Sequence, residues 1–160
     1  MKNNFVIRKA IHSDANNIHK VILAAFEEYQ EYYTPEGFAD TVMSEKSTLE
    51  RMREMILYVA INQEGSIIGS IGWQKINEKE GHIRGMAVHP QWQGRNSPAK
   101  ALLQIVENDA KSRGCTFLTL NTTEILKRAQ KFYEKNGFKR TGKMGDFFGS
   151  TIYEYIKLLD

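Results

Sequence analysis

Three short stretches of this 160-residue chain combine residue types and spacings that suit chemistry. Met86-Ala87-Val88-His89-Pro90-Gln91-Trp92-Gln93-Gly94-Arg95 ends an apolar strand and enters a polar, basic turn. That turn continues through Asn96-Ser97-Pro98-Ala99-Lys100 into a helix. At such a strand–turn–helix junction the helix N-terminus offers free N–H groups and partial positive charge, which suits a pyrophosphate. Asn tolerates left-handed backbone geometry better than most residues, so Asn96 can make the turn. Ser97-Pro98 reads as an N-cap followed by the first helical residue. The second stretch is Phe132-Tyr133-Glu134-Lys135-Asn136-Gly137-Phe138, a helix end carrying a tyrosine. A phenol with a pKa of about 10 is protonated at neutral pH and can give a proton or a hydrogen bond. The third is His82, which shares a strand face with Arg84 and Met86; an imidazole of pKa about 6.5 can act as a base.

Each also has a purely structural reading. Tyr133 on an apolar stripe suits a core, His82 suits a half-exposed strand, and Met86-Ala87-Val88 suits a buried one. Glu27, Glu28 and Glu31 beside Tyr29, Tyr32 and Tyr33 read either as a solvated helix face or as a pocket for a cationic amine. Phe147-Phe148-Gly149 reads as an apolar wall, turn packing or a dimer contact.

The elements that position these residues follow from hydrophobic period and punctuation. Phe5 to Lys9 alternates as a strand. Ser13-Asp14 caps a helix through Ile18, Ile22 and Phe26. Thr34-Pro35 starts a second helix, and Ser47-Thr48 is a candidate start for a short third one toward Met55. Ile56 to Asn62 and Ile67 to Lys75 form a hairpin about Gln63-Glu64-Gly65-Ser66, and Gly81 to Val88 is the next strand. Pro98 to Arg113 is a helix with Ala99, Leu102, Leu103, Val106 and Ala110 on one face. Cys115 to Thr122 is a buried-type strand. Glu124 to Asn136 is a helix striped by Ile125, Ala129, Phe132 and Tyr133, stopped by Gly137 at the C′ position. A last hairpin spans Phe138 to Leu158, turning near Gly142 and Gly145. Strands separated by helices imply at least one parallel pairing. The expected fold class is therefore α/β, a mixed sheet with helices on both faces, in one domain over residues 1–160.

Taken together, the two stretches around Gln93-Gly94-Arg95 and Phe132–Phe138 resemble the GNAT N-acetyltransferase superfamily. The resemblance is strongest from Gly81 to Phe138. It implies a mostly antiparallel twisted sheet with a splayed parallel pair. It implies acetyl-CoA as cosubstrate and an amine of a small molecule or peptide as acceptor, attacked directly in a ternary complex. Tyr133, four residues after Ala129, is similar to the helix tyrosine that sits at the CoA sulfur, and His82 takes a position where many relatives carry Glu. The implied cofactor contacts are Met86, Ala87, Val88, Gln93, Gly94, Arg95, Asn96, Ser97, Pro98, Ala99, Lys100, Asn121, Ala129 and Phe132. The backbone of Met86-Ala87-Val88 would pair with the pantetheine arm, and Asn121-Thr122 would line the other side of the splay. Glu28, Glu31 and Tyr32 are the implied acceptor contacts. Two departures stand out: Asn96 replaces a usual Gly, with one extra residue before Lys100, and Leu126 replaces an Asn. The altered loop motivates an alternative, a non-catalytic CoA-binding regulatory or interaction module. A nucleotide-binding α/β domain is a weaker alternative, because the usual Gly-rich fingerprint is missing.

Composition narrows the classes. One cysteine, Cys115, leaves no internal disulfide and no cysteine-based metal cluster, and the four histidines show no ligand spacing, so no metal is expected. There is no apolar N-terminal stretch of the signal type and no run long enough to cross a bilayer; a cytoplasmic protein with no membrane partner is expected. Residues 1–80 carry a net −3 and residues 81–160 a net +6, within an overall +3. A basic half suits a polyanionic cofactor and an acidic half a cationic acceptor, though chance and solubility account for the split equally well. The basic residues are scattered, so nucleic acid is not expected as a partner. A homodimer is compatible with the sequence, and the acceptor's identity stays open.

Overall fold

The computed structural model describes residues 4–160. Seven strands form one sheet: β1 (Phe5–Lys9), β2 (Ile56–Asn62), β3 (Ile67–Lys75), β4 (Glu80–Val88), β5 (Phe117–Thr123), β6 (Lys139–Phe147) and β7 (Ser150–Leu158). Their spatial order is β1-β2-β3-β4-β5-β7-β6. Every neighbouring pair is antiparallel except β4 and β5, which are parallel because α4 (Ala99–Ser112) crosses between them. The other helices are α1 (Ala15–Phe26), α2 (Pro35–Thr41), α3 (Glu45–Glu54) and α5 (Lys127–Lys135).

Two apolar cores lie on the two faces of this sheet. Along β2 the side chains alternate between them, with Tyr58 and Ala60 on one side and Leu57 and Val59 on the other. The first core takes Leu102, Leu103, Val106 and Ala110 of α4 and Tyr133 of α5. The second takes Ile18, Val21, Ile22 and Ala25 of α1. A polar pin secures α4: Asp109 accepts hydrogen bonds from the buried Trp73 indole (3.0 Å) and from the Tyr58 hydroxyl (2.9 Å). Both donors would otherwise lose water without a partner.

Several boundaries differ from those the sequence suggests. The short third helix between β1 and β2 is present. The third begins at Glu45, because the Ser44 hydroxyl caps the Ser47 N–H at 3.1 Å. The Thr34 cap and the Pro35 start of α2 are as expected, with the Thr34 hydroxyl 3.0 Å from the Gly37 N–H. Helix α5 starts at Lys127, not Glu124, since Glu124 N–H is bonded instead to the Thr151 carbonyl of the neighbouring strand. The last hairpin turns at Phe148-Gly149, where both φ angles are positive (48° and 89°). Gly142, at φ 96°, sits in a register shift within β6 rather than at the turn, and Gly145 pairs with Ile152.

Close approach of β4 to its neighbours depends on Gly81. A Cβ there would stand 2.8 Å from Leu118 of β5 and 3.1 Å from the Trp73 ring. Gly81→Ala is expected to destabilise the protein by about 1–3 kcal/mol through overpacking, which is a fall in Tm of several degrees. Thermal denaturation measures it; an unchanged Tm would mean that this junction is not close-packed.

Candidate active site

The site is an opening in the sheet. Strands β4 and β5 pair only from Glu80 to Ile83 against Phe117 to Leu120. Past Ile83, β4 takes a bulge: its register against β3 shifts between Ser70 and Gly72, and Gly85 adopts φ 68°. The β5-facing edge of β4 from Arg84 to Val88 then has no strand partner. Unpaired strand edges are templates for an extended ligand. Two cavities of about 940 and 420 Å³ lie at this opening, and Phe26, Met86, Leu126, Ala129 and Tyr133 line both.

The larger cavity joins a rim of basic side chains to an apolar channel. Met86, Ala87, Val88, Gln93, Gly94, Asn96, Ser97, Ala99, Lys100, Ala129 and Phe132 line it. Gln93 anchors the loop: its Nε2 donates to the Val88 carbonyl at 3.0 Å, and its Oε1 accepts from Arg128. Gly94 and Asn96 are both left-handed, at φ 82° and 67°, the geometry that the sequence allows Asn96. The start of α4 is displaced by one residue from the expected one. Pro98 is the N-cap and Ala99 the first helical residue, while the Ser97 hydroxyl accepts from Ala99 N–H at 3.1 Å. Leu102 N–H reaches the Pro98 carbonyl at 2.9 Å. The N–H groups of Lys100 and Ala101 have no carbonyl partner among the described residues, as the first turn of a helix requires. Lys100, Arg128, Lys131 and Lys135 add positive charge to the same wall. Arg95 is exposed and outside the cavity; Pro98 is buried and packs beside Gly69.

The smaller cavity holds titratable groups. The Tyr133 hydroxyl points at the Met86 sulfur, 3.4 Å away, where the two cavities meet. Burial of the ring pushes the phenol's pKa up and keeps it protonated. His82 lies across the cavity, and its Nδ1 is 2.8 Å from the Thr119 hydroxyl. That hydroxyl donates its single proton to Glu80 Oε2, 2.7 Å away. It must therefore accept from His82, which fixes the proton on Nδ1 and leaves Nε2 as the unprotonated ring nitrogen. Burial, and then the nearby Arg84 charge, hold the imidazole below its usual pKa, against a smaller upward pull from Glu80 and Glu154. The histidine is thus neutral at physiological pH. The arrangement can take a proton at His82 and give a hydrogen bond at Tyr133.

Asn121 and Thr122 line this smaller cavity, and the Thr122 hydroxyl is buried with no partner among the described residues. Glu28, Glu31 and Tyr32 line neither cavity: α1 ends at Phe26, and residues 27–32 form a 3₁₀ segment that leaves these three side chains exposed. Tyr29 of that cluster reaches the larger cavity and Tyr33 the smaller, where Phe147 joins it at a ring separation of 6.3 Å. Sequence reasoning missed Thr119, Asp40 and Arg51, and started β4 at Gly81, one residue after Glu80. Only the pairing register, His82 opposite Thr119, brings the first of these into reach. Cys115 is buried in the core. Among the described residues no group of three or more His, Cys, Asp or Glu could hold a metal, and no helix is long and apolar enough to cross a membrane.

The model of the acetyltransferase (GNAT) family matches residues 18–138. Similar solved structures include the PaiA N-acetyltransferase of Thermoplasma acidophilum in complex with coenzyme A. It has 21% identity, coverage of 99% of both chains and a TM-score of 0.79. A GNAT-family acetyltransferase of Staphylococcus aureus has 21% identity over 98% of this chain and 99% of its own, at a TM-score of 0.78. An acetyltransferase of Streptococcus agalactiae has 19% identity over 99% and 100%, at 0.76. No curated protein matches the chain.

The bulge yields a prediction of its own. Gly85→Ala forces a side chain into the left-handed region at about 1–2 kcal/mol and sets a methyl 3.1 Å from the Arg51 guanidinium. Urea denaturation is expected to show that loss as a lower midpoint. Full stability would mean that the bulge relaxes easily.

Proposed function

The chain belongs to the acetyltransferase (GNAT) family, and on that premise we propose that it is an N-acetyltransferase that moves the acetyl group of acetyl-CoA to a primary amine of a small molecule or peptide. The observation that carries this reading is the meeting of two cavities at the Tyr133 hydroxyl, one suited to an anionic, elongated cosubstrate and one holding a neutral histidine. The residues present fit coenzyme A. The free N–H groups of Lys100 and Ala101, with the left-handed turn at Gly94 and Asn96, suit a pyrophosphate. The unpaired edge of β4 suits the amide groups of a pantetheine arm. Acetyl-CoA supplies the activated acyl group as a thioester.

The acceptor amine, with a pKa of about 10.4, is charged at neutral pH, and deprotonating it costs roughly 4.6 kcal/mol. His82 Nε2 takes that proton directly or through one water, and the developing imidazolium is stabilised along Thr119 to the Glu80 carboxylate. Tyr133 donates a hydrogen bond to the departing sulfur. Because burial raises the phenol's pKa well above the roughly 8.5 of a thiol, full proton transfer to sulfur is uphill. Its contribution is therefore electrostatic stabilisation of the thiolate as it forms. Amine and thioester held together in adjoining cavities need no acyl-enzyme.

Calorimetric titration of acetyl-CoA and coenzyme A, followed by an amine screen with thiol detection, tests this. Both cofactors are expected to bind. Tyr133→Phe is expected to keep that binding and lose about 100-fold in kcat. His82→Gln is expected to lose 10²- to 10⁴-fold. Because the His82 pKa is lowered, the base stays neutral on descending through pH 6.5, so wild-type kcat should fall only at more acid pH; the variant should lack that acid limb. A folded protein that binds neither form of the cofactor, or a Tyr133→Phe enzyme as active as wild type at every pH, would overturn the reading.

A further inference from the structure

Two arginines in the smaller cavity have no assigned role. Arg51 of α3 and Arg84 of β4 both line it, with Asp40 as the one carboxylate in the same wall. Arg51 is half-buried, yet none of the ion pairs among the described residues uses it or Arg84. Its Nη1 lies against the Gly85 bulge, 3.1 Å from where a Cβ would stand. That puts the guanidinium one residue along the chain from Met86, whose sulfur marks the meeting of the cavities. Arg84 is two residues beyond His82 on the same strand face, about 7 Å away along the strand.

A half-buried guanidinium without a carboxylate partner is costly. Its surroundings make this worse: burial first, then the Arg84 charge, lower the Arg51 pKa to about 10, against a smaller upward pull from Asp40 and Glu54. An anionic group held between the two arginines would remove both the desolvation cost and the mutual repulsion. Planar guanidinium forks suit a carboxylate in particular, which they can hold in a bidentate way. A polyamine, with further positive charges, would meet the same pair as repulsion.

We propose that the acceptor is a zwitterionic amine of the amino-acid type, whose carboxylate is held by Arg51 and Arg84 while its amine faces His82 and Tyr133. This deepens the acetyl-transfer reading and rests on it. The cavity fits the size class, since about 420 Å³ is within the range of small-molecule pockets and small beside a long peptide site. Phe26, Tyr33 and Phe147 give the acceptor's side chain an apolar wall. The Thr122 hydroxyl, buried and unpartnered, offers it one more hydrogen bond. The outer charge of residues 1–80 is acidic, but the charge that faces the reacting centre is mainly cationic.

The test is an acceptor panel in matched triplets: a free amino acid, its carboxamide, and the corresponding amine lacking the carboxylate. Binding to the coenzyme A-loaded protein is followed by calorimetry, and acetylation by thiol release. Free amino acids are expected to be favoured over both matched partners by at least about 10-fold in kcat/KM. Arg51→Gln should remove about 10- to 100-fold of that, mostly in KM and only for the carboxylate-bearing member. Arg51→Lys should restore part of it, and Arg84→Gln should give a smaller loss, since Arg84 is exposed. Carboxamides or decarboxylated amines that do as well as the amino acids would overturn the proposal while leaving acetyl transfer intact. So would a coenzyme A-loaded protein that binds no free amino acid. Failure to bind coenzyme A would instead refute the acetyl-transfer reading. Amino-acid binding to the free protein, with and without Arg51→Gln, would then still decide the arginine site.

Discussion

The structure turns on one broken strand pairing. Parallel strands β4 and β5 meet for four residue pairs and then part, because Gly85 places an extra residue in β4 at a left-handed φ. A β-branched or bulky residue would rarely adopt that angle. Continuous pairing would have satisfied the backbone of Arg84 to Val88 within the sheet. The bulge instead leaves that edge unpaired, beside an opening lined by Leu126 and by Ala129 and Tyr133 of α5. Tight packing at Gly81 and the opening past Ile83 are two ends of the same strand, a few residues apart.

Burial supplies the second constraint, and it acts on two groups in opposite directions with one result. Desolvation disfavours whichever form is charged. It raises the Tyr133 phenol and lowers the His82 imidazole, so both are held neutral. A neutral phenol is a hydrogen-bond donor and a neutral imidazole is a base. The Glu80–Thr119–His82 chain then settles which imidazole nitrogen carries the proton. The guanidinium of Arg51 experiences the same desolvation without being able to become neutral at ordinary pH, which is why an anionic partner suits it.

Much of this was legible in residue order. The 2-residue period of β1, the Thr34-Pro35 start of α2, the Gly137 stop after α5 and the left-handed tolerance of Asn96 are local properties, and local sequence carries them. The apolar strand end Met86-Ala87-Val88 and Tyr133 were singled out by pattern, and the fold brings them to one place. What sequence did not carry was lateral register. Thr119 matters here only because it lies opposite His82, 37 residues away. Arg51 enters the smaller cavity because α3 packs near the β4 bulge. The cluster Glu28, Glu31 and Tyr32 looked suited to an amine, but the helix tightens into a 3₁₀ segment after Phe26 and leaves these side chains in solvent. The final turn was drawn to Gly142 and Gly145 by composition, whereas the chain spends Gly142 on a bulge and turns at Phe148-Gly149.

The central claim is that the gap between β4 and β5 is built for a thioester-bearing arm whose sulfur ends at Tyr133. A crystal structure of the protein grown with coenzyme A tests it most directly. The account predicts a pyrophosphate on the N–H groups of Lys100 and Ala101, the arm along the free edge of Met86 to Val88, and the sulfur within hydrogen-bond reach of the Tyr133 hydroxyl. Coenzyme A seated elsewhere, or a gap that stays filled by side chains while the cofactor binds, would contradict it.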